Sequence, residues 1–220
     1  KTGVNHPLGK NMIGAFHQPE VVIIDNDTLA TLDSRQFSAG MAEVIKYALL
    51  GDVEFLLWLE QNIDAVMARD NESITTIIER SCQAKADIVV EDEKEKGVRA
   101  LLNLGPTFGH ASENARGYGD WLHGEAVGRG MLMAADLSRR MGMITEAEVE
   151  RVERVLRAAG LPVDGVDGVD AEQLRALMSV DKKVMGGRLR LVLLRALGSA
   201  DIFDDAPEAL IMEALQHYLR

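Results

Sequence analysis

The sequence predicts a mainly α domain: a multi-helical bundle with a loop and one strand in front of it and a short β pair near the C-terminus. Three observations carry this. Apolar residues recur at helical spacing through most of the 220 residues, cap and stop signals bracket those stretches, and strand-like patterning is confined to two short runs.

Residues 1–20 contain Gly3, Pro7, Gly9, Gly14 and Pro19, a density of turn-formers that predicts a long ordered loop, the kind of segment that often carries function. Glu20 to Asp25 is a β-branched run bounded by Pro19 and the polar Asn26-Asp27, and reads as a buried strand. From Ser38, a candidate N-cap, Met41, Val44, Ile45, Leu49 and Leu50 follow a helical period that Gly51 stops. A second helix runs from Asp52 to about Ala68. A third starts at Asn71 and ends in the acidic Glu91 to Glu95 stretch, a solvated helix end. Residues 99–116 and 124–141 form two more helical segments, separated by the glycine-rich turn that begins at Gly117. Thr145 and Glu148 form a capping box with Ile144 as a staple, and Gly160-Leu161-Pro162 stops that helix. Asp170 and Gln173 mark another cap. Arg188 to Leu197 begins by alternating Arg with Leu or Val like a strand, and Asp205-Ala206-Pro207 opens a last helix to Arg220.

Composition narrows the function classes. With 24 Lys and Arg against 35 Asp and Glu, the formal charge is −11, so the general attraction to phosphate backbones or anionic lipid that a basic protein has is absent. No nucleic-acid or membrane partner is expected, and no apolar run reaches the roughly 20 residues that cross a bilayer. The single cysteine, Cys82, cannot form an internal disulfide; it fits a reducing, cytoplasmic setting and reads as a small buried hydrophobe. Lys1 stands where an initiator Met would, and the first residues show no signal-peptide pattern, so the chain reads as part of a longer protein.

Several polar residues lie where chemistry could use them. Of the five histidines, His217 sits near the chain end on an amphipathic helix and reads as surface. His110 and His123 lie in glycine-rich surroundings, which let a ligand or another backbone approach closely; helix packing explains the same glycines equally well. Glu43 and Lys46 stand three apart on an otherwise apolar helix, either a solvated salt bridge or a pair facing a pocket. Only eight of the 24 basic residues are lysines, and Lys1, Lys10, Lys46, Lys85, Lys182 and Lys183 fall in glycine-rich or apolar settings. In an acidic protein such lysines suggest a local pocket for an anionic substrate.

Four long motifs go further. Lys1-Thr-Gly-Val-Asn-His-Pro-Leu-Gly-Lys-Asn-Met-Ile-Gly-Ala-Phe16, Gly40-Met-Ala-Glu-Val-Ile-Lys-Tyr47, Arg99-Ala-Leu-Leu-Asn-Leu-Gly-Pro-Thr-Phe-Gly-His110 and Gly117-Tyr-Gly-Asp-Trp-Leu-His-Gly-Glu-Ala-Val127 resemble bacterial dehydroquinate synthases, in order, from Lys1 to about Leu197. The resemblance implies that residues 1–32 are a loop and strand at the junction with a nucleotide-binding domain, and that residues 33–220 are a helical metal- and substrate-binding domain. It implies an NAD- and metal-dependent lyase, commonly a cytoplasmic homodimer. Such an enzyme closes 3-deoxy-arabino-heptulosonate 7-phosphate, a phosphorylated sugar acid, to 3-dehydroquinate with loss of phosphate.

Carried over residue by residue, the resemblance makes Glu43 and His123 ligands of zinc or cobalt. It makes His110, Lys46 and Arg99 catalytic, and gives Lys1, Lys10, Asn11, Lys85, Asn103 and one of Lys182 and Lys183 to substrate binding. Pro106 stands where the family has a third metal ligand, a histidine, so a weakened metal site is expected. Either a kinked helix or one that restarts at Gly105 would accommodate it. Ser112 and Arg129 depart from the family's apolar and small residues, which suggests an altered active-site pattern. NAD binding is not expected of this chain, nor turnover by it alone. The alternatives are a related sugar-phosphate cyclase and a non-catalytic helical assembly domain.

Overall fold

The computed structural model describes every residue except 1, 7, 8, 16, 95, 96, 117–120, 165–169, 181–183, 186, 187 and 220. Its helices are α1 (Ser34–Gly51), α2 (Val53–Met67), α3 (Asn71–Glu91), α4 (Pro106–Arg116), α5 (His123–Arg140), α6 (Glu146–Ala158), α7 (Ala171–Val180) and α8 (Glu208–His217). Single 3₁₀ segments precede α1 and α4, at Asn26–Thr31 and Val98–Asn103. The strands are β1 (Thr2–His6), β2 (Gly9–Ala15), β3 (Val184–Met185), β4 (Arg188–Leu189), β5 (Leu191–Ala196) and β6 (Ser199–Phe203). They pair as three antiparallel hairpins, β1–β2, β3–β4 and β5–β6.

Aspartates start the early helices. Asp33, Asp52 and Asp70 accept the backbone N–H groups of Gln36, Phe55 and Ser73 at 3.0, 2.9 and 2.9 Å. Each satisfies a donor that has no partner inside its helix. The observed cap of α1, Asp33, stands five residues before the expected cap, Ser38, which is instead buried inside the helix. The Thr145–Glu148 capping box and the Asp170 cap, whose carboxylate accepts from Gln173 N at 2.6 Å, stand where the sequence puts them.

The centre of the body is α5, every residue of which from Gly124 to Ser138 is buried. A helix buried on all sides must carry its polar groups in pairs. The Asp136 carboxylate accepts from Arg139 and Arg140, each at 2.7 Å, and Arg140 reaches on to Glu213 of α8 at 2.8 Å. Ser138 Oγ donates to the Ala134 carbonyl and accepts the Leu194 N–H at 2.9 Å, which ties β5 to the core helix. Around α5 pack α1, α4, α6, β5 and α8.

Three further expectations fail, each for a local reason. The expected loop of residues 1–20 contains the β1–β2 hairpin, with Thr2 opposite Ala15, Val4 opposite Ile13 and a bulge before His6. Gly3, Gly9 and Gly14 lie within its strands, and a bulge is a common place for irregular backbone in a strand. The run Glu20 to Asp25 is no strand. Val21, Val22, Ile23 and Ile24 are 71, 69, 88 and 48% exposed, because no described strand lies beside them to complete a ladder and bury their side chains. Cys82 is exposed on α3 rather than buried. Among the described residues no helix is long and apolar enough to cross a membrane.

Candidate metal and substrate site

Glycines let α1, α4 and α5 meet closely, two of them beside the site. A Cβ at Gly124, beside His123, would collide with the carbonyl of Ala39 on α1, and a Cβ at Gly109 would fall 2.6 Å from the carbonyl oxygen of Ala126. Backbone approaches this close require glycine. They bring the first turn of α5 against α1, where Glu43 lies one turn along from Ala39, and against α4 at His110. Closer packing than side chains allow is therefore what makes the site.

On α1, the Lys46 ammonium donates to Glu43 Oε2 at 2.6 Å. The lysine side chain is 5% exposed and the glutamate 42%, so the pair is a buried cation tethered to a half-exposed anion. Burial lowers the Lys46 pKa below the ordinary lysine range; Glu43 opposes the shift, and the charge of Lys85 on α3 adds to it. The neighbouring Tyr47 phenol is pushed up to about 12 by burial and by the charge of Glu43.

On α4 and α5, His110, Glu113 and His123 present ligand atoms all within 4.8 Å of one another. The His110 and His123 rings are 5.6 Å apart, and His123 Nδ1 lies 3.8 Å from Glu113 Oε1. Glu113 was not singled out from the sequence. The signal was available, since it follows His110 by three residues and so shares its helix face. Glu43 is not part of this cluster.

The remaining site residues are placed as follows. Arg99 donates to the Glu93 carbonyl at 2.6 Å, and its backbone N–H to Asp92. Asn103 donates to the Ala100 carbonyl at 3.0 Å, and Lys85 is exposed. Lys10 and Asn11 lie on β2, but their side chains are outside the described set, as are Lys1, Lys182 and Lys183 entirely.

Pro106 is the first residue of α4, after Gly105 at φ +91°, whose carbonyl accepts the Gly109 N–H at 2.9 Å. The helix restarts there. Proline costs little at a first helical position, where its missing N–H would have no partner in any case. It offers no lone pair, so of Glu43, position 106 and His123 only two can be ligands, and Glu43 is paired with Lys46. The two other departures are built into the packing. Ser112 Oγ donates to the Phe108 carbonyl at 3.1 Å. The buried Arg129 donates to the Tyr218 carbonyl at 2.6 Å, with its guanidinium 5.4 Å from the Trp121 ring centre, which ties the chain's last turn to α5.

The family model described as 3-dehydroquinate synthase C-terminal matches residues 40–184, and the one described as 3-dehydroquinate synthase N-terminal matches residues 1–39. Among curated proteins, the 3-dehydroquinate synthase of Saccharophagus degradans is 59% identical over 93% of this chain and 56% of its own length. That of Acidithiobacillus ferrooxidans is 55% identical over 100% of the chain and 60% of its own length. The chain thus spans less than two thirds of these relatives. Among solved structures, ValA, the 2-epi-5-epi-valiolone synthase from Streptomyces hygroscopicus subsp. jinggangensis with NAD+ and Zn2+ bound, superposes with a TM-score of 0.88 at 31% identity, covering 99% of this chain and 60% of that one. A 2-deoxy-scyllo-inosose synthase complexed with carbaglucose-6-phosphate, NAD+ and Co2+ gives 0.84 at 26% identity, over 99% and 62%. Two domain models in the expected order, high identity along the chain and the same helical body lead to one conclusion: the chain belongs to the 3-dehydroquinate synthase family.

Proposed function

We propose that the protein closes 3-deoxy-arabino-heptulosonate 7-phosphate to 3-dehydroquinate with loss of phosphate, and that residues 33–220 supply its substrate-binding part while residues 1–32 form the junction to a nucleotide-binding domain. The observation that carries the reading is the 55 to 59% identity to 3-dehydroquinate synthases, against 31 and 26% to the valiolone and inosose synthases.

The residues suit such a substrate. Lys46, a desolvated cation on a rigid helix, attracts an anionic group more strongly than an exposed lysine would. Lys85 adds a second positive charge nearby. Arg99 and Asn103, with Lys1, Lys10, Asn11 and one of Lys182 and Lys183, neutralise and orient the carboxylate, phosphate and hydroxyls, and holding the substrate in one pose supplies much of the rate. In this reading none of these residues is assigned to NAD, which is given to the nucleotide-binding domain. We also read the protein as a cytoplasmic homodimer, a state that light scattering tests.

The test is calorimetric titration of the chain with the heptulosonate phosphate and, separately, with glucose 6-phosphate, without NAD so that neither is consumed. The sugar acid is expected to bind about tenfold or more tightly, because its carboxylate adds a charge-assisted contact. Preference for glucose 6-phosphate would favour an inosose-type cyclase. Failure to bind either would favour an assembly role. Micromolar NAD binding by this chain would overturn the placement of the nucleotide elsewhere.

A further inference from the structure

We infer that the metal of this chain is held by His110, Glu113 and His123 rather than by Glu43 and His123, the site having moved one turn along α4 from position 106. The inference rests on the family reading only for the expectation that a metal is present at all. The ligand set comes from the geometry of the chain.

At 106 a proline removes one imidazole. One turn on, at 110, an imidazole is present on the same helix face, and Glu113 follows three residues later with its side chain 10% exposed. His123 opens α5 directly opposite. Two imidazoles and a carboxylate make the donor set that zinc and cobalt accept, with three protein ligands and a free position. Zinc–ligand bonds of about 2.1 Å in a tetrahedron put ligand atoms about 3.4 Å apart. His123 Nδ1 lies 3.8 Å from Glu113 Oε1 and all three ligand atoms lie within 4.8 Å of one another, so the donors need to close by about 1.4 Å at most.

The scaffold favours such a site. α4 and α5 approach backbone to backbone at Gly109 and Ala126, which brings the donors together before any ion arrives. His123 is 51% exposed, which leaves the outer side of the triad open for water or substrate hydroxyls. Glu43 is already committed, neutralising Lys46 at 2.6 Å, and drawing it to a metal would leave a buried ammonium without its counter-ion. The reassignment moves His110 from the catalytic role that the family resemblance gives it to ligation.

The experiment reads metal binding alone, with no substrate or NAD, so its outcome is independent of which sugar phosphate the protein uses. Zinc affinity is measured by competition with a chelating dye, and Co2+ binding by its visible absorption, for the unmodified chain and for Glu113→Gln, His110→Asn and Glu43→Gln. Circular dichroism and melting curves confirm that each variant is folded. One ion per chain is expected. Glu113→Gln and His110→Asn should each lose more than the roughly 100-fold that marks the upper end for removal of an outer-shell partner and should change the Co2+ spectrum, while Glu43→Gln retains both affinity and spectrum. Loss of affinity in Glu43→Gln with full retention in Glu113→Gln would overturn the proposal. So would the absence of specific binding by the unmodified chain.

Discussion

The run before α1 and the buried helix α5 both carry large aliphatic side chains but meet opposite fates. Val21 to Ile24 face solvent, whereas Met131 to Ala135 on α5 have no exposed surface. The difference lies in the neighbours. Each apolar face of α5 meets α1, α4, α6, α8 or β5, and burial of each large side chain contributes on the order of 2 kcal/mol. The Val21–Ile24 run meets no described element that covers it. Hydrophobicity stabilises a structure only where a complementary surface is in reach.

The largest expected effect lies where the two helices touch. Gly124→Ala, which drives a methyl group into the Ala39 backbone, should cost about 3 kcal/mol or more in urea unfolding and weaken metal binding by shifting His123. A loss below about 1 kcal/mol would mean that α1 and α5 can separate without penalty and that the close approach does not fix the site.

Lys46→Met should act in the other direction. Removing a buried charge and filling its volume with an apolar chain is expected to hold stability or raise it by about 1 kcal/mol or more, while abolishing binding of the sugar phosphate. The pH dependence follows from the lowered pKa. The folded state loses this proton at lower pH than the unfolded chain does, so the cost of burying the charge is fully present below the folded pKa. It is relieved as pH rises towards the unfolded value of about 10.4. The unmodified chain should therefore gain stability across that window, and Lys46→Met should not.

A smaller effect is expected at Glu125, which accepts from Arg35 at 2.6 and 2.9 Å and from the Leu122 N–H at 2.8 Å. Burial works to raise its pKa, but the Arg35 and Leu122 hydrogen bonds outweigh it and hold the carboxyl below the ordinary range. Its stabilisation is fully present above the unfolded value of about 4.3 and is lost as pH falls through the depressed folded value. Glu125→Gln should cost about 1 kcal/mol at neutral pH, discounted because Arg35 is largely exposed. Acid titration of the variant should show a correspondingly shallower fall; an unchanged fall would remove Glu125 from the account of how α5 begins.

Ile23→Ser should change stability by no more than about 0.5 kcal/mol, since the side chain is 88% exposed. Hydrogen exchange should find residues 17–25 among the first to exchange and the interior of α5 among the last. Strong protection of 21–24 in the isolated chain would show that something covers this run after all, a second copy being the simplest cover, and light scattering on the same sample would reveal it.

Most of the helices are written locally. Asp52, Thr145, Asp170 and Gly160 are short-range signals, because a cap is satisfied or left unsatisfied within three residues of itself, and the elements they bound stand where the sequence indicates. The site was legible in part: His110, His123, Glu43 and Lys46 were all drawn from their glycine-rich or apolar surroundings and from the family motifs, and Pro106 from the motif it interrupts. Which of them share a place was not legible. Whether Glu43 turns to Lys46 or to His123, and that Glu113 completes the histidine pair, depends on how α1, α4 and α5 pack, because those partners come from separate helices whose distance is set by backbone contacts at Gly109 and Gly124. The β-branched run at 21–24 makes the same point in reverse. Its residues carry a strand's preferences, but a strand exists only when another backbone pairs with it, and that is a property of the tertiary structure rather than of the run itself.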